Sequence, residues 1–125
     1  DVQRLEVEYG AGVPADAIEE RLSRDKNHRI KAVLVVQTET STGVTSSLAA
    51  VRKAIDAAAH PALLLADVVS SLGCTDLRFD EWKLDVALTA AQKGLMLPPG
   101  MAILAVSKKA LEANRSAGSV SRRRL

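Results

Sequence analysis

The sequence predicts an α/β fold in which a mainly parallel sheet lies between helices in a three-layer sandwich. Short apolar runs rich in β-branched residues, such as AVLVV at 32–36, are typical of strands buried on both faces of a parallel sheet. These runs alternate with segments of helical spacing, which is the pattern of βαβ units. Because the crossovers in such units are right-handed, we expect helices on both faces of the sheet.

The chain begins with one predicted strand and one predicted helix. The segment LEVEY at 5–9 alternates apolar and acidic residues, so we expect a half-buried strand. A turn follows at Gly10 to Gly12, and a helix runs from Pro14 to about Arg24, with the proline in the first turn, where its missing N–H has no helical partner. Gly10 and Gly12 resemble the start of a dinucleotide-binding loop, but the third glycine is absent, and we expect only a tight turn.

The remaining elements alternate in the same way. The strand at 32–36 leads through a polar loop to a helix that is capped by Ser46 or Ser47 and ends at His60-Pro61. Three further apolar runs predict strands at 62–69, 85–91 and 101–106, and a last helix runs from Lys108 to about Asn114.

The composition describes one globular domain and excludes several functions. The chain has 125 residues, of which 47% are hydrophobic and 2% aromatic, and a formal net charge of +2. Its basic residues form no stripe with interleaved aromatics, so nucleic-acid binding has little support, and no apolar run is long enough to span a membrane. The single Cys74 fits a reducing compartment, and we expect a cytoplasmic protein. No cysteine–histidine spacing indicates a metal site, and we expect His28 and His60 to face solvent.

The candidate functional residues follow the predicted strands, because ligands of parallel sheets bind beyond the carboxyl ends of the strands. Asp67 is charged within the apolar run ALLLADVV, and a buried carboxylate requires a cation or several hydrogen-bond donors. Lys93 follows the next strand, and sequential strands are usually neighbours. Three interpretations stay open. Asp67 caps the turn at Ser70 and Ser71, it forms a salt bridge with Lys93, or a pyridine ring lies between the two charges.

Four segments together resemble one family. They are ETSTGV at 39–44, LLLADVVSSLG at 63–73, DEW at 80–82 and QKGLMLPPG at 92–100. These segments resemble the class V, fold type I, pyridoxal-phosphate-dependent aminotransferases, and above all the serine–glyoxylate and alanine–glyoxylate enzymes. The resemblance implies that residues 1–114 are the central part of a cofactor-binding large domain. Residues 115–125 are polar and basic, and we expect them to be disordered.

The resemblance implies a role for each of five residues. Lys93 would bind the aldehyde of pyridoxal 5′-phosphate covalently and move the proton during transamination. Asp67 would pair with the pyridine nitrogen, and Val69 would pack on the ring. Thr40 would lie near the phenolic oxygen of the ring, and Gln92 would contact the phosphate. The intact enzyme would be a homodimer that transfers an amino group from serine or alanine to glyoxylate.

The sequence also departs from the pattern of the family. Gln37-Thr38 stands where family members often have His-Asn, Ala90-Ala91 where Gly-Ser is usual, and Lys83 where glycine is common. The family's phosphate loop and its substrate-binding arginine do not match any segment of the chain, so we expect little or no activity from the chain alone.

Two other functions are also compatible with the sequence. One is another class V enzyme, similar to cysteine desulfurase or to phosphoserine aminotransferase. The other is a non-catalytic α/β module in which Asp67 and Lys93 form a structural pair.

Overall fold

The computed structural model describes residues 2–117, which form four strands and three helices. The strands are β1 (Ala32–Val36), β2 (Leu63–Asp67), β3 (Val86–Ala90) and β4 (Ala102–Val106), and the helices are α1 (Ala15–Arg24), α2 (Leu48–Ala57) and α3 (Lys108–Ser116). The sheet order is β1-β2-β3-β4, with β1, β2 and β3 parallel and β4 antiparallel to β3. The predicted α/β class and the mainly parallel sheet are confirmed.

The core lies between the sheet and helices α1 and α2. The helices contribute apolar side chains at helical spacing, and the sheet contributes alternate residues of β1, β2 and β3. These buried side chains form one cluster, which includes Ile18, Leu22, Leu48, Val51, Ile55, Val35, Leu64, Ala66 and Ala87. All of them are aliphatic, as the low aromatic content requires, so the core depends on close packing of small branched side chains.

The opposite face of the sheet is exposed in the described residues. Leu34 of β1 is 75% exposed and Leu104 of β4 is 60% exposed, although both lie within strands. Side chains of this face alternate with the buried ones along β2 and β3, whereas all five residues of β4 are exposed. Helices α1 and α2 therefore both pack on the buried face of the sheet.

The segment 5–9 is not a strand, so this prediction is wrong. Tyr9 is 86% exposed and Val7 is 42% exposed, and no described strand pairs with the segment. An alternating pattern forms a strand only where a neighbouring strand takes up its backbone N–H and C=O groups. The tight turn expected next to it is present, since Gly10 has a φ of 86° and the N–H of Ala11 donates to the carbonyl of Glu8 at 3.0 Å.

The last helix extends past its predicted end. Arg115 and Ser116 belong to α3, although they were expected in a disordered tail. Ser107 caps this helix by accepting a hydrogen bond from the N–H of Ala110 at 3.1 Å. The rest of the tail prediction, for residues 118–125, falls outside the described residues. Within 2–117, none of the helices has the length and apolar character needed to cross a membrane.

Asp85 anchors the amino edge of the sheet. It is only 3% exposed, and its carboxylate accepts hydrogen bonds from the N–H of Leu64 and the hydroxyl of Ser107, both at 2.9 Å. Lys109 Nζ lies 3.6 Å from it and Arg52 Nη1 lies 3.9 Å from it. A buried carboxylate that is compensated in this way joins β2, β3, α2 and the start of α3.

His60 is buried, so the prediction that both histidines face solvent is wrong for this residue. It is 6% exposed, and its Nδ1 accepts the N–H of Ala62 at 3.1 Å. The ring proton of the neutral form therefore sits on Nε2, which lies 3.4 Å from Asp25 Oδ2. The N–H of Ile30 donates to the same oxygen at 2.7 Å. His28 is exposed, as expected.

The Asp25 contacts predict a dependence of stability on pH. Hydrogen bonds from the backbone N–H of Ile30, then from that of Arg29 and from His60, hold the pKa of the Asp25 carboxyl below its ordinary value of 3.8. A carboxyl whose pKa is lower in the folded state stabilises the fold above its unfolded pKa, and this contribution is lost as the pH falls through the folded pKa. We expect Asp25→Asn to flatten the fall in melting temperature between about pH 5 and pH 2.

The control is Asp80→Asn, because Asp80 is exposed and its side chain forms no hydrogen bond among residues 2–117. It should follow the unmodified protein. An Asp25→Asn profile parallel to that of the unmodified protein would contradict the assignment.

Helix α2 ends in a backbone conformation that favours glycine. Ala58 has a φ of −70°, whereas Ala59 has a φ of 48°, and the N–H of His60 donates to the carbonyl of Ile55 at 3.2 Å. We expect Ala59→Gly to raise the free energy of unfolding by about 0.5–1 kcal/mol, because it removes a Cβ from a left-handed position. Ala58→Gly, one residue earlier, should lower it by about 1 kcal/mol. Urea unfolding measures both, and effects of the same sign would refute this account.

Candidate functional site

The carboxyl ends of the three parallel strands meet at one edge of the sheet. The strand pairing sets Val36, the last residue of β1, opposite Asp67, the last residue of β2, and Asp67 opposite Leu88 of β3. The chain leaves this edge in three loops. Lys93 lies in the third loop, shortly after β3, so the prediction that β2 and β3 are neighbours is confirmed. This edge is where ligands bind in sheets of this kind.

A cavity of about 250 Å³ lies at this edge of the sheet. Eight residues line it, namely Val36, Thr38, Glu39, Thr40, Asp67, Val69, Ser70 and Lys93. The structure therefore brings together four of the five predicted site residues, which are Thr40, Asp67, Val69 and Lys93. The fifth, Gln92, is exposed and is not among the residues that line the cavity.

The other four lining residues, Val36, Thr38, Glu39 and Ser70, received no role in a cofactor site from the sequence, although Thr38, Glu39 and Ser70 follow predicted strands. Each of them lies at the end of β1 or β2, or in the loop that follows. The signal that could have found them was their position after a buried parallel strand, because the side chains of such loops converge on one edge.

Asp67 forms a hydrogen bond within the fold, and it also lines the cavity. Oδ1 accepts the N–H of Val69 at 2.9 Å, so Asp67 caps the turn that follows β2. The interpretation as a cap was right in kind, but the cap acts on Val69 rather than on Ser70 or Ser71. Oδ2 accepts no hydrogen bond among the described residues, and Asp67 is one of the residues that line the cavity.

Lys93 is exposed, and it shares the cavity with Asp67 without touching it. No salt bridge joins the two side chains among residues 2–117. The interpretation as a direct structural pair therefore has no support in the structure. Both residues instead line the same cavity, and the interpretation in which a ring lies between them stays a prediction.

Two consecutive serines join the walls of the cavity. The hydroxyls of Ser70 and Thr40 are 2.6 Å apart, which links the loop after β2 to the loop after β1. Ser71 points the other way, into the interior, where its hydroxyl donates to Gln37 Oε1 at 2.7 Å. The two loops are thus connected both at the cavity surface and behind it.

Glu39 adds a second negative charge to the cavity. The N–H and the hydroxyl of Ser41 each donate to Oε1 of Glu39 at 2.9 Å. These two hydrogen bonds, the N–H first, hold the pKa of the Glu39 carboxyl below its ordinary value. Glu39 is therefore ionised at neutral pH, and a cation in the cavity is stabilised by it as well as by Asp67.

Glycine seats the Lys93 loop against the loop after β2. A Cβ at Gly94 would lie 2.2 Å from the carbonyl oxygen of Leu72 and 2.9 Å from Sγ of Cys74. Gly73 has a φ of 82°, and a Cβ there would lie 3.1 Å from the carbonyl oxygen of Gly94. The residue next to Lys93 is therefore in backbone contact with the loop that carries Val69 and Ser70.

Comparison with known proteins places the chain in a family. The family model described as aminotransferase class-V matches residues 2–121, and the chain belongs to this family. The match continues past Asn114, where the resemblance of the sequence motifs ended.

Several glyoxylate aminotransferases are similar to this chain. It is 56% identical over 117 residues to an L-aspartate–glyoxylate aminotransferase of Paracoccus denitrificans, with 94% of this chain and 30% of the relative covered. It is 58% identical over 113 residues to a serine–glyoxylate aminotransferase of Methylorubrum extorquens, with 90% and 28% covered. The crystal structure of an alanine–glyoxylate aminotransferase from Nostoc sp. matches with a TM-score of 0.80 at 30% identity, over 100% of this chain and 30% of that chain. The chain spans less than a third of the length of these relatives.

The close backbone contact at Gly94 predicts that alanine at this position destabilises the fold, whereas alanine at Gly12 does not. We expect Gly94→Ala to lower the free energy of unfolding by about 2 kcal/mol or more, because its Cβ would overlap a backbone carbonyl that cannot move aside freely. Gly12→Ala is the matched control, since a Cβ there meets nothing nearer than Ser46 Oγ at 3.8 Å. Denaturant unfolding compares the two, and equal losses would show that the Gly94 contact is no constraint.

Proposed function

We propose that the protein containing this chain is a pyridoxal-phosphate-dependent aminotransferase that transfers the amino group of an amino acid to glyoxylate. The observation that carries the proposal is the cavity shared by Asp67, Lys93, Val69 and Thr40. The class-V aminotransferase family supports the type of reaction, and the names of two similar proteins support glyoxylate as the acceptor.

The amino donor is proposed from the same relatives. Serine and alanine are the donors expected from the sequence motifs, and one similar protein is named for aspartate. A homodimer and a cytoplasmic location remain proposals that rest on the family resemblance and on the single cysteine. The naming of glyoxylate in the relatives favours this reaction over those of cysteine desulfurases and phosphoserine aminotransferases.

The donor set of the cavity fits pyridoxal phosphate. A carboxylate with one free oxygen, at Asp67, suits a protonated ring nitrogen, and the amine of Lys93 suits an aldehyde. Val69 supplies an apolar surface for a ring face, and Thr40 a hydroxyl for its polar edge. We propose these four residues as the groups that hold the cofactor. A phosphate contact by Gln92 stays a prediction, since that side chain is exposed outside the cavity.

Each residue then contributes a defined part of the chemistry. Bound pyridoxal phosphate supplies an electron sink for the carbanion at the substrate α-carbon. Asp67 places a carboxylate at the end of β2, where the N–H of Val69 donates to Oδ1 and holds the side chain in position. Lys93 carries an amine on a flexible stem at the cavity edge, where it can accept a proton and return it to a neighbouring atom.

Cofactor binding tests the proposal. Pyridoxal phosphate added to the purified full-length protein should give a visible absorbance band, and Lys93→Ala should abolish this band. Lys53 is an exposed lysine of α2, and Lys53→Ala should leave the band unchanged. Asp67→Asn should weaken binding by about tenfold or more, because a charge-assisted hydrogen bond is lost.

Activity is measured separately, as transfer of an amino group to glyoxylate by the full-length protein. The isolated chain, which spans less than a third of its relatives, should show little or no turnover. A band that survives Lys93→Ala would refute the assignment of Lys93.

A further inference from the structure

Gln37 is buried behind the cavity, and its backbone and side-chain polar groups all form hydrogen bonds. It follows the last residue of β1 and is 3% exposed. Its backbone N–H donates to the carbonyl of Asp67 at 2.9 Å, and its carbonyl accepts the N–H of Ser46 at 2.7 Å. Its main chain thus joins the end of β2 to the start of α2.

The side chain of Gln37 reaches the loop after β2. Nε2 donates to the carbonyl oxygen of Asp76 at 3.1 Å, and Oε1 accepts the hydroxyl of Ser71 at 2.7 Å. The orientation of the amide is fixed by its partners, because the Asp76 carbonyl can only accept a hydrogen bond. Ser71 is fully buried, so loss of the amide would leave its hydroxyl without a partner in the interior.

The loop to which the Gln37 side chain is hydrogen-bonded, residues 68–76, carries the cavity residues Val69 and Ser70. Ser70, the neighbour of Ser71, contacts Thr40 across the cavity surface at 2.6 Å. Further along the same loop, Leu72 and Gly73 are in contact with the backbone of Gly94, next to Lys93. Gln37 itself does not line the cavity.

We propose that Gln37 is a positioning residue for the cofactor. By binding Ser71 and the Asp76 carbonyl, it fixes the loop 68–76 and through it the places of Val69, Ser70 and Lys93. The proposal rests on the proposed function, because it concerns the same cavity. It also accounts for an amide at this position, since one partner requires a donor and the other an acceptor.

Gln37→Glu is the sharpest test, because it keeps the shape and makes the donor titratable. The protonated carboxyl can still donate to the Asp76 carbonyl, whereas the ionised carboxylate places one acceptor against another. We expect the dissociation constant for pyridoxal phosphate in the full-length protein to stay near that of the unmodified protein at about pH 5 and to be roughly tenfold higher at about pH 8, relative to the unmodified protein at the same pH. Gln3→Glu, at an exposed glutamine, is the matched control and should show no such divergence.

A second measurement does not need the cofactor. In the cofactor-free protein at about pH 8, amide hydrogen exchange in residues 70–76 should be faster in Gln37→Glu than in the unmodified protein at the same pH. Exchange in α1 should be equal in the two proteins. Ser71→Ala removes one hydrogen bond without adding a charge. It should weaken cofactor binding equally at both pH values, and it serves if Gln37→Glu does not fold.

The outcomes separate the two proposals. An unmodified protein that does not bind pyridoxal phosphate overturns the proposed function and, with it, the role of Gln37. A protein that binds, while Gln37→Glu follows the unmodified protein at both pH values and exchanges its 70–76 amides at the same rate, overturns the role of Gln37 alone.

Discussion

The backbone contact between Gly94 and the Leu72–Gly73 segment is the constraint on which the candidate site depends. Asp67 is placed by the sheet itself, because it ends a strand that is paired on both sides. Lys93 has no such support, since it is exposed and lies in a loop. Only the absence of a side chain at Gly94 lets that loop lie against its neighbour, where the amine shares a cavity with the carboxylate.

Buried polar groups stabilise the two edges of the sheet in different ways. At the amino edge, the carboxylate of Asp85 collects donors from the backbone, a hydroxyl and two cations. At the carboxyl edge, the neutral amide of Gln37 gives one hydrogen bond and accepts another. A neutral group behind the cavity leaves the local charge to Asp67, Glu39 and Lys93. The electrostatics of the cavity are therefore set by side chains that a ligand can reach.

The sequence predicted those elements of the fold that depend on residues close together in the chain. The strands β1, β2, β3 and β4 lie within the predicted apolar ranges. Short runs of β-branched and aliphatic residues favour strands, even in β4, where the residues are exposed in this chain. The segment 5–9 failed for the opposite reason. Its alternation is local, but a strand also needs a partner, and no described strand pairs with it.

The site was predictable in its charged residues and less so in its hydrogen bonds. Asp67 and Lys93 stood out because charge within or beside an apolar run requires an explanation. The buried positions of His60 and Gln37 could not be read from spacing, because their partners lie 35 and 34 positions away in the chain, at Asp25 and Ser71. The contact of Gly94 with Leu72 is likewise a property of two loops in space.

The reversal of direction at β4 also bears on how such proteins diversify. Because β4 is antiparallel to β3, the segment 91–101 leaves the carboxyl edge and returns to it. Beyond Gly94 this segment lies largely in solvent, with Met96 89% exposed. Its outer part can therefore change in length or composition without shifting the pairing of β3 with β4 or the place of Asp67. The loop that carries Lys93 is thus also a segment whose outer part can vary while the fold stays the same.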